Sequence, residues 1–86
     1  MRDYTTKRVY VGIDVHKKSY SVTAVCDRQI VKKDRLPADP HCLVQYCKSK
    51  FKGAEVVTAY EAGFCGFSLH RVLTNSGIDS KIVGNE

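Results

Sequence analysis

Three β-forming runs, separated by turns too short to cross a sheet, constrain this chain more than any other feature. RVYVGIDVH, Arg8 to His16, alternates: Val9, Val11, Ile13 and Val15 face one way, and Tyr10, Gly12, Asp14 and His16 the other. Tyr20 to Cys26 is rich in β-branched residues and predicts a second strand. Gln29 to Arg35 is a third, more polar run that suits a sheet edge. Only Lys17-Lys18-Ser19 and Asp27-Arg28 stand between them. A parallel connection takes a dozen or more residues, so the three runs must join as an antiparallel meander. Both faces of the first run are partly apolar, which predicts a central strand covered on both sides.

Past Arg35 the period changes. Asp39-Pro40 is a helix start, with Asp as N-cap and Pro at the first helical position. Leu43, Val44, Cys47 and Phe51 then form one helical stripe. Lys48, Lys50 and Lys52 crowd the last turn, at the negative helix end, and Gly53 is the expected C-cap. Glu55 to Glu61 predicts a strand that Ala62-Gly63 breaks. A second helix follows over Phe64 to Asn75, with Phe67, Leu69, Val72 and Leu73 as its apolar contacts, and ends at Ser76-Gly77. Ile78 to Val83 closes the series as a short strand. Strands reached through helices run parallel to their neighbours by right-handed crossovers. The expected fold class is therefore α/β, a mixed sheet of five strands in the sequence order β-β-β-α-β-α-β with helices packed on it. Residues 1–7 read as a flexible leader and 8–86 as one domain.

Composition narrows the functional classes. A chain of 86 residues allows one small domain with a thin core. No apolar run approaches the roughly 18 residues that span a bilayer. MRDYTTKR has no apolar stretch behind its charges and does not read as a signal peptide, so the expected location is cytoplasmic. Lys and Arg number 14 against 9 acids, a net charge of +5, which favours a polyanionic partner without requiring one. The basic residues fall in short clusters: Lys17-Lys18, Lys32-Lys33 with Arg35, and Lys48, Lys50 and Lys52. The cysteines form no C-x-x-C pair. Cys42 and Cys47 are five apart on a helix, which puts them on different faces, so with His41 they are poorly spaced for zinc. They read as reduced, small apolar residues of the core.

Two acids, Asp14 and Glu61, interrupt or end apolar strands. Each alone has a plain explanation, Asp14 as a polar residue bonded to the following turn and Glu61 as a solvated strand end. Together they say more. If the first and fourth strands lie side by side and parallel, both acids reach the same carboxyl edge of the sheet, where open α/β sheets place ligands. Neighbouring carboxylates repel unless a cation or proton lies between them. A hard divalent ion with oxygen ligands, Mg²⁺ or Mn²⁺, is the simplest resolution. Lys17, Lys18 and His16, beside the site, would hold a phosphate backbone. Tyr60 reads as packing, and His41 and His70 as helix surface residues.

VGIDVHKKSYSVTAV, followed by YEAGFCGFSLHRVLTNSGIDSKIVGNE, resembles the N-terminal RuvC-like domain of bacterial insertion-sequence transposases of the DEDD type, the family that includes Piv-like DNA invertases. Its pattern is an Asp in a G-I-D strand, a Glu in an E-[AS]-x-G strand end, and two later Asp residues. The resemblance runs from Val9 to Val83. It maps the first two catalytic acids to Asp14 and Glu61 and implies that both bind metal. It further implies a ribonuclease-H-like fold, Mg²⁺-dependent DNA strand cleavage and exchange at element ends, and in some members a guide RNA. The last two acids and the serine-bearing C-terminal domain have no match before Glu86. The expectation is a transposase fragment that neither cuts nor joins DNA alone, with self-association through surface that further elements would cover.

Two other classes compete. The actin-like and sugar-kinase superfamily shares the three-strand opening and the Asp, but follows it with a Gly-rich phosphate-holding hairpin, and Val15-His16-Lys17-Lys18-Ser19 has no Gly. The other is a small basic nucleic-acid-binding or assembly module without catalysis.

Overall fold

Asp27 and Arg28 carry positive φ angles of 55° and 67°, the pair of left-handed conformations that a type I′ hairpin turn requires. They join β2 (Ser19–Cys26) to β3 (Gln29–Pro37), and the turn at 16–18 joins β1 (Arg8–Val15) to β2. The meander is therefore as the turn lengths demand, with β1–β2 and β2–β3 both antiparallel. The computed structural model describes residues 6–61 and 66–83. The remaining elements are α1 (Pro40–Lys50), β4 (Glu55–Glu61), α2 (Gly66–Asn75) and β5 (Asp79–Val83). The expected break at Ala62-Gly63, the helix start at Phe64, most of the leader and the Phe67 side chain lie outside what is described.

The five strands form one mixed sheet in the order β3-β2-β1-β4-β5. β4 runs parallel to β1, and β5 runs parallel to β4. No helix among the described residues is long and apolar enough to cross a membrane.

Both ends of α1 and the end of α2 have a local cause. Asp39 is extended, and its Oδ1 accepts the His41 backbone N–H at 3.0 Å, with Pro40 opening the helix. The C-cap of α1 is Phe51, not Gly53: the buried Phe51 ring turns into the core, and its N–H donates to the Cys47 carbonyl at 3.2 Å. Gly53, at φ 85°, serves the turn into β4 instead. α2 ends in a Schellman arrangement, with Gly77 N–H donating to Thr74 O at 3.1 Å and Ile78 N–H to Leu73 O at 3.0 Å. Gly77 supplies the positive φ of 82°. Ile78 is used in that cap, so β5 begins one residue later than its apolar pattern suggests.

Among the described residues the core cluster lies on one side of the sheet. Val9, Val11 and Ile13 of β1, with Tyr20, Val22, Ala24 and Cys26 of β2 and Tyr60 of β4, share one cluster with residues of both helices. Leu43, Val44, Tyr46, Cys47 and Phe51 come from α1, and Leu69 and Leu73 from α2. This corrects the expectation that β1 is covered on both faces. Tyr10, Gly12 and Asp14, on its other face, are exposed. Tyr10 misled the reading: it is 49% exposed, and its hydroxyl accepts from Arg8 Nη1 at 3.5 Å, so an aromatic ring there needs no covering layer.

Candidate functional site

Reading across the open face gives two rows of side chains. Register pairs Asp14 with Ser21 and Ser21 with Arg35. Gly12 pairs with Thr23 and Ala59, Thr23 with Lys33, and Ala59 with Lys81. Ile13 pairs with Tyr60, so the next residues of these parallel strands, Asp14 and Glu61, stand side by side on the open face at the carboxyl edge. Neighbouring strands are about 4.8 Å apart, which sets the scale of the acid pair. The structure thus brings together the two acids that the sequence singles out.

They border a broad open trough of about 1050 Å³ lined by residues including Gly12, Asp14, Ser21, Thr23, Lys33, Arg35, Ala59 and Glu61. Its floor is low because the central positions carry Gly12, Ala59, Ser21 and Thr23. A Cβ at Gly12 would meet only the Thr23 carbonyl at 3.9 Å, so the strand itself tolerates a side chain there and the glycine chiefly keeps the trough open.

His16 approaches Asp14, with Nε2 3.2 Å from Oδ2, on side chains 53% and 74% exposed. Its backbone N–H donates to Ser19 O at 2.9 Å and closes the turn. The imidazole therefore fixes one carboxylate oxygen of Asp14 and leaves the other accessible. Lys17 and Lys18 are exposed in the same turn and have no ion-pair partner among the described residues.

Lys33 and Arg35 also line the trough, a position that the sequence reading did not assign to them. The cluster Lys32-Lys33-Asp34-Arg35 alternates along β3, so Lys32 and Asp34 turn toward the helices. Lys32 Nζ lies 3.3 Å from Asp34 Oδ2, which also accepts the Tyr46 hydroxyl at 2.8 Å. The Tyr46 hydrogen bond foremost, and then Lys32, hold the Asp34 carboxyl below its ordinary range. Lys33 and Arg35 are left facing the trough. Period-2 alternation was the available signal.

The remaining polar candidates lie elsewhere. His41 is exposed, whereas His70, expected at the surface, is half-buried with Nδ1 3.0 Å from the Oγ of buried Ser80. Cys47 is buried in the core and Cys42 half-buried, so they face different surroundings. Among the described residues no three His, Cys, Asp or Glu side chains gather as a metal-binding group. Asp14 and Glu61 offer what a single hard ion takes from protein, one or two carboxylates, with water and substrate phosphates completing its shell.

These features define an α/β domain with a five-stranded mixed sheet, two helices on one face, and a pair of acids at the carboxyl edge of the other. In sequence the chain is similar to the transposase for insertion sequence element IS1533 of Leptospira borgpetersenii, 29% identical over 76 residues. That match covers 85% of this chain and 22% of the relative, so the chain spans about a fifth of the transposase's length. No protein-family model matches. In fold it is similar to a Bacteroides thetaiotaomicron protein with an actin-like ATPase fold and unknown function, at TM-score 0.61 and 10% identity, over 92% of this chain and 33% of that one. It is also similar to the PPX-GPPA enzyme of Aquifex aeolicus, at TM-score 0.50 and 12% identity, over 91% of this chain and 36% of that one.

Proposed function

We propose that this chain is the N-terminal part of a ribonuclease-H-like, RuvC-like catalytic domain of a DEDD-type insertion-sequence transposase. The observation that carries the reading is the register that seats Asp14 beside Glu61 on one open face, and the sequence likeness to a transposase supports it. Asp14 and Glu61 would hold Mg²⁺ or Mn²⁺, which supplies charge neutralisation at a scissile phosphodiester. His16 orients the Asp14 carboxylate, and Lys17 and Lys18 contact the adjoining backbone of DNA. The substrate in this reading is DNA at element ends and target. Further catalytic acids, a serine-bearing domain and, in some relatives, a guide RNA complete the machinery, and two acids alone do not support cleavage.

Titration of the chain with Mn²⁺, followed by electron paramagnetic resonance, tests the site. The expected result is one bound ion per chain, lost in Asp14→Asn and in Glu61→Gln. Absence of binding by the unaltered chain, or binding unchanged in both variants, would overturn it.

The fold likeness to an actin-like ATPase favours a second reading, an ATP-binding domain. The glycine-free turn at 15–19 weighs against it, since backbone N–H groups there cannot cradle phosphates as a Gly-rich hairpin does. A rise in melting temperature on adding ATP, beyond that given by Mg²⁺ alone, would support this second reading, and the expected outcome is no such further rise.

A further inference from the structure

The geometry points to Lys33 and Arg35 of β3 as the phosphate contacts of a nucleic-acid backbone that crosses the open sheet face toward Asp14 and Glu61. This rests on the reading of the chain as a domain acting on DNA, and adds a binding flank two strands away from Asp14 and three from Glu61. The rows Arg35–Ser21–Asp14 and Lys33–Thr23–Gly12 run perpendicular to the strands. Two strand spacings place the cations about 10 Å from β1, the strand that carries Asp14. Small side chains lie between, so a backbone would cross a low floor with cations on one flank and a carboxylate pair at its centre. On the far flank Lys81 of β5, exposed, continues the Lys33–Thr23–Gly12–Ala59 row.

Charge pairing separates these residues from Lys32, Lys7 and Arg8. Lys32 is held by Asp34, Lys7 by Asp27 and Arg8 by Glu55. Lys33, Arg35 and Lys81 have no ion-pair partner among the described residues, and all three face the trough side of the sheet. Lys48 and Lys50 sit at the end of α1, where the negative helix terminus accounts for them. A polyanion is the ligand chemistry that satisfies unpaired cations set in register on one face beside a site for phosphodiester chemistry.

The test is binding of a fluorescein-labelled DNA duplex of about 20 base pairs in EDTA, measured against salt. The double variant Lys33→Gln/Arg35→Gln is compared with Lys50→Gln/Lys52→Gln, which removes the same charge from the helix end and the loop after it. The first is expected to weaken binding roughly tenfold and to reduce the slope of log K against log salt by about two, the second by less than half as much. The charge-retaining Lys33→Arg/Arg35→Lys is expected to bind as the unaltered chain does. A second measurement needs no variant: DNA is expected to protect Lys33 from reductive methylation while Lys50 and Lys52 stay reactive. Equal losses in the two double variants, or equal protection of all three lysines, would overturn the assignment. EDTA removes the metal from this experiment, so its outcome is independent of whether Asp14 and Glu61 bind Mn²⁺.

Discussion

Ile13 and Tyr60 are the last paired residues of the two parallel strands at the centre of the sheet, and the residue after each is an acid. Both partners are buried, Ile13 at 6% and Tyr60 at 3% exposure, so the core locks the register one step before the acids begin. A slip of one residue would turn Tyr60 outward and send Glu61 to the helix side. The acid pair is thus held by apolar packing, at the cost of like-charge repulsion.

That cost is measurable. Glu61→Gln removes the repulsion without touching the Asp14–His16 contact. In EDTA it is expected to raise the melting temperature by roughly 2–4 °C, in line with about 0.5 kcal/mol for like charges on adjacent strands. Mn²⁺ is expected to reverse the order, since an ion that binds only the folded unaltered chain stabilises it by mass action. Thermal melts with and without Mn²⁺ read both signs.

Tyr46→Phe removes the hydroxyl that ties α1 to the edge strand. The Asp34 side chain is 35% exposed and solvent screens the bond, so the expected loss is about 0.5–1 kcal/mol in urea unfolding at neutral pH. Asp34 is held below its ordinary range when folded, so its contribution is present above the unfolded carboxylate pKa and lost as pH falls through the folded value. The difference between the unaltered chain and Tyr46→Phe is therefore expected to shrink on acidification below about pH 4.

Burial pushes the Cys47 thiol up to about 11. At pH 8 it is almost wholly protonated as well as shielded. Alkylation followed by mass spectrometry is expected to label half-buried Cys42 well before Cys47 and the buried Cys26, which react only on unfolding. Labelling of Cys47 at the rate of Cys42 would contradict its place in the core.

Arg28 pays a conformational cost at φ 67° that glycine would not. Arg28→Gly is expected to stabilise the chain by up to about 1 kcal/mol, because Asp-Gly is the preferred pair for this turn. Chemical denaturation checks the sign. The 3.1 Å contact of Asp27 with Lys7 does not involve the Arg28 side chain.

Turn lengths and the Asp39-Pro40 signal made the meander and α1 legible, because these are local constraints. The acid pair was legible once β1 and β4 were taken as parallel neighbours, since a helix must connect them. Which face stays open was not. Tyr10 and Val57 give the outer face of β1 and β4 an apolar look, yet Tyr10 sits beside the Arg8–Glu55 ion pair, whose members lie far apart in sequence. Period-2 alternation divides Lys32 from Lys33, but which of the two faces the helices was hidden for the same reason: the residue that anchors Asp34 is Tyr46, on a helix. His70 looked like surface because its partner Ser80 lies on β5, beyond the helix end.

Among the described residues β3 and β5 form the two rims of the sheet, and each is poorly suited to recruit another chain. β3 carries Lys32, Lys33, Asp34 and Arg35 in succession, a register irregularity opposite Ala24/Val25, and Pro37 at its end. β5 is only five residues long and carries Asp79 and Lys81. Charge, irregularity and brevity are the devices that oppose strand-by-strand aggregation. Pairing at the rims is thereby disfavoured, and the open face, with Asp14, Lys33, Arg35 and Glu61 exposed on it, is suited to recognition rather than to fibre growth.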